Sequence, residues 1–364
     1  MRSPSTPPSP ALLLQDGQDP RTRAAAARAL DARSLRAVFM DLVGRPPRRA
    51  EAQEWLGRGR GELLDDLLGS EEFWAHWWHE QLYYFLLTDN FRPRTRAAKE
   101  VPTKLAEGRL HYRDALHQAA LTPTFDLRNP GADTFVTVVM EQFCGVVVQD
   151  RASELEIGKV AYEGGKGRFL GTTAENQADV IRICVEHRDA SRHFLAREHQ
   201  RLLRRDLERK QLRKDAGRLH RDPWAYLALV REWLLSEAYD ERLAALVPKS
   251  NSLFVRCLFV DLLDRLPEDD ELEPMRNALD GLADSRPLRS VVVRLLLESG
   301  RAAVPAKEAI EDPTRWIGQQ FPRFLGREAT PEELRVFVTA FHEEGCEPST
   351  ILYALLSHSE YQSY

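Results

Sequence analysis

The chain has 364 residues and a formal net charge of -5, which gives it no overall attraction for nucleic acid or for acidic membranes. It is long enough for two or three compact units with cores of their own. Its four cysteines stand far apart, without the CxxC spacing of zinc or haem sites, so we predict reduced, buried thiols in a cytoplasmic protein.

The first 20 residues are rich in Pro, Ser and Asp and poor in bulky apolar side chains. Such a composition does not offset the entropy of ordering the chain, so residues 1–20 are predicted to be a flexible tail. The longest apolar run in this tail has four residues, which is too short for a secretory signal. No stretch of the chain has the length and apolarity of a membrane span.

Three later segments align without a gap: FMDLVGRPPRRAEA (39–52), FVDLLDRLPEDDEL (259–272) and FPRFLGREATPEEL (321–334). In the first, apolar side chains recur at helical spacing from Leu35 to Val43, and Gly44 then predicts the end of that helix. In the third, Thr330 and Pro331 predict the start of the next helix. Tails of similar sequence, LLGSEEF and LLSHSEY, follow at 67–73 and 355–361. This pattern predicts repeated helical-hairpin units.

The middle of the chain carries further helical patterns. They are interrupted by turn-prone residues at 122–133 and by the glycine-rich EGGKGRFLG at 163–171, for which we predict a mobile loop. The run at 134–149 has no clean alternation and predicts a buried helix rather than a strand. We therefore predict an all-α, multi-helical protein with an N-terminal helical domain (21–150), a central helical region (151–250) and a C-terminal helical domain (251–364).

The order RAVFMDLVGRPP, LLGSEEF and WAHWWHEQLYYF within residues 36–85 resembles a helical domain of unknown function that is abundant in planctomycetes and is often joined there to cytochrome c modules. Residues 179–205 and 227–243 are similar to the C-terminal part of a related bacterial helical family. Trp77 stands where the first family has histidine, and Glu80 where it has aspartate. The stretch FCGVVVQDRASE lacks the family's cysteine pair and histidine, so the resemblance implies a fold and lineage but no haem.

One cluster has the residue types of a metal site. His76, His79 and Glu80 are spaced i, i+3 and i+4, which would place three ligands on one helix face. Their order matches neither the HExxH nor the HxxEH zinc motif. Three tryptophans within the five positions 74–78 (Trp74, Trp77 and Trp78) favour a packing helix, so the metal site is the alternative interpretation.

Residues 197–221 hold ten Lys or Arg against four acids. A basic patch is predicted at Arg201, Arg204, Arg205, Arg209 and Lys210, but aromatic side chains that would stack on bases are absent from it. A solvated helix face is the commoner origin of such a pattern. His187, His193 and His199 are six residues apart and so do not share a helix face. Lys166, in the glycine-rich loop, lacks the spacing of a phosphate-binding loop.

A repeat explains a core but supplies no reactive group. The leading expectation is a non-enzymatic helical scaffold that binds a protein partner, with no cofactor and no nucleic acid. The alternatives are a metal-dependent hydrolase or oxidoreductase centred on His76, His79 and Glu80, and nucleic-acid binding through residues 197–221.

Overall fold

The computed structural model describes residues 20–87 and 93–364; the tail predicted at 1–20 falls outside this range except for its last residue. Within these ranges the chain is all-α, as predicted, with 22 α-helices and one two-stranded antiparallel sheet. None of the helices in the described ranges combines the length and apolarity needed to cross a membrane.

The chain forms two compact units. Among the described residues, unit 1 comprises 20–22, 64–87 and 93–239, and unit 2 comprises Arg23–Leu63 and Asp240–Tyr364. The boundaries inferred from sequence, at 150 and 250, differ from this division. A pattern read along the chain does not reveal that residues 23–63 pack with residues that follow 240.

The helices and strands have the following bounds in chain order. They are α1 (Pro20–Ala27), α2 (Ala32–Val43), α3 (Arg49–Trp55), α4 (Arg60–Leu67), α5 (Glu71–Leu86), α6 (Arg96–Lys99), α7 (Val101–Ala106), α8 (Tyr112–Ala120), α9 (Pro123–Arg128), α10 (Ala132–Val139), α11 (Ala152–Tyr162), β1 (Gly167–Phe169), β2 (Thr172–Ala174), α12 (Gln177–Glu186), α13 (Arg188–Leu203), α14 (Arg209–Arg221), α15 (Tyr226–Leu234), α16 (Glu237–Ala244), α17 (Asn251–Leu263), α18 (Asp269–Asp280), α19 (Arg286–Glu298), α20 (Pro313–Leu325), α21 (Pro331–His342) and α22 (Pro348–Ser357).

Three helix–turn–helix segments of unit 2, α2–α3, α17–α18 and α20–α21, share the same turn. The first helix of each ends at a residue in the left-handed conformation: Gly44, Asp264 or Gly326, with φ of 67°, 55° and 70°. Left-handed backbone stops an α-helix and is easiest for glycine. The helix end predicted at Gly44 is therefore confirmed.

The next residue of each turn is an arginine that binds a glutamate six positions later through both guanidinium NH₂ groups. The pairs are Arg45 with Glu51, Arg265 with Glu271, and Arg327 with Glu333, at 2.6 to 2.9 Å. Each arginine also lies over the phenylalanine six positions earlier, Phe39, Phe259 or Phe321, at 5.3 to 5.6 Å from the ring centroid. We name this arrangement the Phe–Arg–Glu turn.

The glutamate of each Phe–Arg–Glu turn also fixes the start of the second helix. Its carboxylate accepts the backbone N–H of Arg48, Glu268 or Thr330 at 2.6 to 2.8 Å. This satisfies a backbone donor at the helix N-terminus and places negative charge at the positive end of the helix dipole. In α21 the Thr330 side chain also accepts the Glu333 N–H, which confirms the predicted start at Thr330.

An apolar core of unit 2 is built mainly from α17 to α22 with Met40 of α2. Two buried aspartates, Asp41 and Asp261, are each adjacent in sequence to a core residue and pair with an arginine. Both carboxylate oxygens of Asp261 accept hydrogen bonds from Arg36 at 2.9 Å, and one of them also accepts the Tyr361 hydroxyl at 2.8 Å. Asp41, which aligns with Asp261 in the repeated segments, accepts from Arg242 and the Tyr364 hydroxyl at 2.9 and 3.0 Å.

A cluster of aromatic side chains lies in the core of unit 1. Trp74 and Trp77 of α5 contact each other edge to face at 5.2 Å, and both lie near Tyr226 of α15. Phe194 of α13 contacts Trp77 and stacks on Tyr112 at 4.4 Å. The prediction of a packing helix around the tryptophans is confirmed, because Trp74, Trp77 and Trp78 are all buried.

Several local predictions for unit 1 need correction. The glycine-rich stretch 163–171 contributes to the hairpin β1–β2, in which Gly167 pairs with Ala174, so it is not simply a loop. The turn-prone stretch 122–133 contains the short helix α9. The run 134–149 is helical through α10 and a π-helical turn, Met140–Cys144, but it ends where Gly145 adopts a φ of 67°. Helix signals therefore predicted the element type better than its bounds.

Candidate functional site

The predicted metal ligands lie along α5 in unit 1. His76, His79 and Glu80 are partly buried, and all three interact with other groups of the protein. Across residues 20–87 and 93–364 no three His, Cys, Asp or Glu side chains are grouped as metal ligands. The metal site therefore remains a prediction from helical spacing.

The predicted basic patch divides into an internal and an exposed part. Arg201 points inward and pairs with the buried Glu198 at 3.0 Å. Arg204 and Arg205 are exposed at the end of α13, and Arg209 and Lys210 are exposed at the start of α14. The sequence identified the charges but not this division, because the left-handed turn at Arg204 reverses the chain between the two helices.

Glu198 is the centre of a buried polar network in unit 1. Its carboxylate accepts the Tyr226 hydroxyl at 2.5 Å and the Gln81 amide at 3.0 Å, in addition to Arg201. Burial alone would raise the pKa of Glu198, but Arg201, Arg197 and the Tyr226 hydroxyl lower it below its usual value. The carboxylate is therefore ionised and its acceptor positions are occupied, which suits a structural role better than proton transfer.

Cys144 and His187 form the contact in unit 1 that most resembles a catalytic dyad. The Cys144 Sγ lies 3.2 Å from Nδ1 of His187. That nitrogen also accepts the backbone N–H of Asp189 at the start of α13, so the thiol is the donor to it. Burial raises the pKa of Cys144 to about 12, and a nucleophile would need the thiolate. This pair caps a helix rather than activating the sulfur.

A cavity of about 560 Å³ lies in unit 2, between α2, α3, α17 and α20. Sites for small ligands commonly enclose about 300–1,000 Å³ with apolar walls and a few polar groups. The apolar walls are Leu35, Pro47, Ala52, Leu56, Val260 and Pro322, and the polar rim includes Gln53 and Gln319. We name it the arginine cleft, after the three arginines that line it: Arg36, Arg49 and Arg323.

Two of these arginines are held by the fold. Arg36 binds the buried carboxylate of Asp261 and also donates to the backbone carbonyl of Arg323 at 2.5 Å. Arg323 in turn donates to the backbone carbonyl of Asp261 and lies over the ring of Phe324 at 4.7 Å. The guanidinium of Arg323 therefore binds dipoles rather than a carboxylate, and its charge is not neutralised by a direct ion pair.

Arg49 is the third arginine and is exposed at the first position of α3. Its backbone N–H donates to Asp264 at 2.8 Å. Among the described residues, its guanidinium makes no hydrogen bond or ion pair. Arg49 thus presents a charged, accessible group at the edge of the cleft.

Positive charge exceeds negative charge in the arginine cleft. Three arginines line it, and the Asp261 carboxylate is the acid among the lining residues, so the lining has an excess of two positive charges. The Asp264 carboxylate, which accepts the Arg49 backbone N–H beside the cleft, reduces the local excess to one. Burial lowers the pKa of Arg323; Asp261 and the nearby Asp264 raise it, while Arg49 and Arg36 lower it, and the net shift is downward. The cleft is therefore electrostatically suited to an anion.

Sequence reasoning missed this site. Arg36 and Arg323 are 287 positions apart, and nothing in the local pattern of either predicts that they meet. Leu56 continues the apolar helical spacing of Ala52 and Trp55, a pattern that favours burial, but it lies just past the end of α3 and is 56% exposed. The alignment of the repeated segments was the available signal, because it places Asp261 and Arg323 at equivalent positions.

Comparison with protein-family models, with curated proteins and with solved structures finds no match to this chain. The relationship to the planctomycete-type domain therefore stays a prediction from the sequence segments.

Proposed function

We propose that this protein is a helical scaffold that binds a protein partner through the arginine cleft of unit 2. The observation that carries the proposal is the cleft itself, which has apolar walls, an exposed leucine and two arginines without a carboxylate bound to them. Arginine is enriched at protein interfaces and among the residues that contribute most to affinity.

The Phe–Arg–Glu turns support the scaffold part of the proposal. Each fixes the angle between two helices through a charge-assisted, bidentate pair and a phenylalanine contact. Three such turns in unit 2 are consistent with a repeated hairpin that holds a surface in place. A rigid surface lowers the entropy cost of binding a partner.

The proposal is tested by comparing partners recovered from a lysate of the source cells with three full-length proteins. They are the wild type, Arg49→Glu in the cleft, and Arg209→Glu at the matching first position of α14 in unit 1. A specific partner should be recovered by the wild type and by Arg209→Glu but depleted with Arg49→Glu. Recovery of the same proteins in the same amounts by all three would contradict the proposal.

The two alternatives from the sequence have their own tests. Metal analysis addresses the hydrolase or oxidoreductase centred on His76, His79 and Glu80. Salt titration addresses nucleic-acid binding through the basic residues of 197–221, because binding through phosphates weakens steeply with salt.

A further inference from the structure

We propose that the arginine cleft recognises an acidic peptide segment in which carboxylate side chains alternate with apolar ones. The carboxylates would pair with Arg49 and Arg323, and an apolar side chain would lie on the wall beside Leu56. This inference rests on the proposed function and specifies the chemistry of the partner.

The charges of the cleft support an acidic rather than a neutral partner. Arg323 is held near two other arginines, and the nearest carboxylate, Asp261, is committed to Arg36 and Tyr361. Bringing a carboxylate to Arg323 and Arg49 would offset a repulsion that the folded protein already contains. A basic segment would increase that repulsion, so charge also discriminates against wrong partners.

The apolar walls indicate that the partner contributes more than charge. Leu56 is 56% exposed and lines the cleft together with Pro47 and Ala52. Covering such a side chain with another apolar group removes both from water, which is favourable. An inorganic anion would leave this surface exposed, whereas a leucine beside a glutamate would cover it.

The amide side chains at the rim favour a peptide over a small organic acid. Gln53 and Gln319 are exposed on α3 and α20, each with a donor and an acceptor. Paired donors and acceptors suit the alternating N–H and C=O groups of an extended peptide backbone. The cleft volume of about 560 Å³ then corresponds to a few residues of the partner rather than to a whole helix.

The test uses a fluorescein-labelled nonapeptide of alternating Glu and Leu, with Gln and Leu or Lys and Leu peptides as comparisons. Fluorescence anisotropy with the full-length protein should show that the Glu peptide binds and that the other two peptides bind at least about tenfold more weakly. Binding of the Glu peptide should weaken as salt is raised, since partly exposed charges are screened. Equal binding of the Glu and Gln peptides would overturn the inference.

Variants locate the binding. Arg49→Glu should weaken binding of the Glu peptide about tenfold or more, because an attraction becomes a repulsion. Glutamate at this first helical position also favours helix formation, so this variant is expected to fold; circular dichroism checks that it does. Arg209→Glu is the matched control and should bind like the wild type. Equal affinities of Arg49→Glu and the wild type would contradict binding in the cleft.

Competition separates a peptide site from a simple anion site. Millimolar acetate or inorganic phosphate should displace the Glu peptide poorly, because neither covers the apolar wall. Complete displacement by either ion at such concentrations would overturn the inference in favour of a small-anion site. If a lysate partner depends on Arg49 but the Glu peptide does not bind, the proposed function stands and this inference fails; if neither depends on Arg49, both fail.

Discussion

Replacing Asp261 by asparagine tests the electrostatic design of unit 2. Asp261 is 4% exposed. Its carboxylate accepts two hydrogen bonds from Arg36 at 2.9 Å and one from the Tyr361 hydroxyl at 2.8 Å. The neutral amide would leave the buried Arg36 without its counter-charge. Removing one partner of a buried pair typically costs about 3–5 kcal/mol. We expect about 3 kcal/mol for Asp261→Asn, because the amide oxygen retains one acceptor.

Hydrogen exchange measured by mass spectrometry is the appropriate assay, since a chain with two units need not unfold in a single transition. The expected loss corresponds to about a hundredfold faster exchange through global opening of α17. Asp270→Asn, at an exposed position of α18, is the control and should leave exchange almost unchanged. A difference from wild type no larger than that of the control would refute the reasoning.

A double variant separates the energy of the pair from the penalty of a lone charge. Arg36→Met combined with Asp261→Leu removes both charges and keeps apolar volume. It should be more stable than either single variant, because no uncompensated charge remains buried. If the double variant were less stable than both single variants, the two side chains would be contributing independently, and the expected penalty of a lone buried charge would be contradicted.

Three further predictions concern other parts of the molecule. The hydrogen bonds from Arg327 hold the pKa of Glu333 at about 2, well below the ordinary 4.5. The contribution of Glu333 to the free energy of unfolding is therefore present above pH 4.5 and is lost as the pH falls toward 2. Glu333→Gln should cost about 1–2 kcal/mol at pH 7 and much less at pH 2, as measured by urea unfolding at both pH values. Gly326→Ala should destabilise unit 2 by about 1–3 kcal/mol, because φ is +70° and the new Cβ would lie 2.9 Å from Cα of Arg33. Gly318→Ala inside α20 is the control: its new Cβ meets no atom within 4 Å, and it should stabilise unit 2 by about 0.5–1 kcal/mol. Thermal unfolding of both variants checks the two signs. Elemental analysis of untagged protein should find no stoichiometric zinc or iron that His76→Ala removes, and near-stoichiometric metal lost in that variant would restore the metal-dependent alternative.

The elements that sequence predicted well are those set by local chemistry. Gly44 ends a helix because it takes up a left-handed conformation, and Thr330 starts one because its hydroxyl caps a backbone N–H. The tryptophans of α5 are buried because their spacing follows the helix. Each of these depends on residues within a few positions of one another, which a single sequence displays.

The features that sequence missed depend on distant residues. The packing of residues 23–63 with those after 240 cannot be inferred from periodicity, and it is this packing that brings Arg36 to Asp261 and Arg323. Leu56 satisfied the helical pattern, yet α3 ends one residue before it and leaves it exposed. Arg201 lies in a strongly basic stretch that is typical of a solvent-exposed helix face, but its side chain is largely buried because it pairs with the buried Glu198. Partner choice among charged groups is decided by tertiary structure.

Site-specific photo-crosslinking at the arginine cleft tests the central claim most directly. Gln53 at the cleft rim would be replaced by a photoreactive phenylalanine derivative, and Leu127, which is 81% exposed on α9 of unit 1, would be replaced in the control. After irradiation in native lysate, the derivative at position 53 should give a discrete adduct with one partner, which Arg49→Glu abolishes and position 127 does not form. No adduct at position 53, or the same adducts from both positions, would contradict a partner-binding cleft in unit 2.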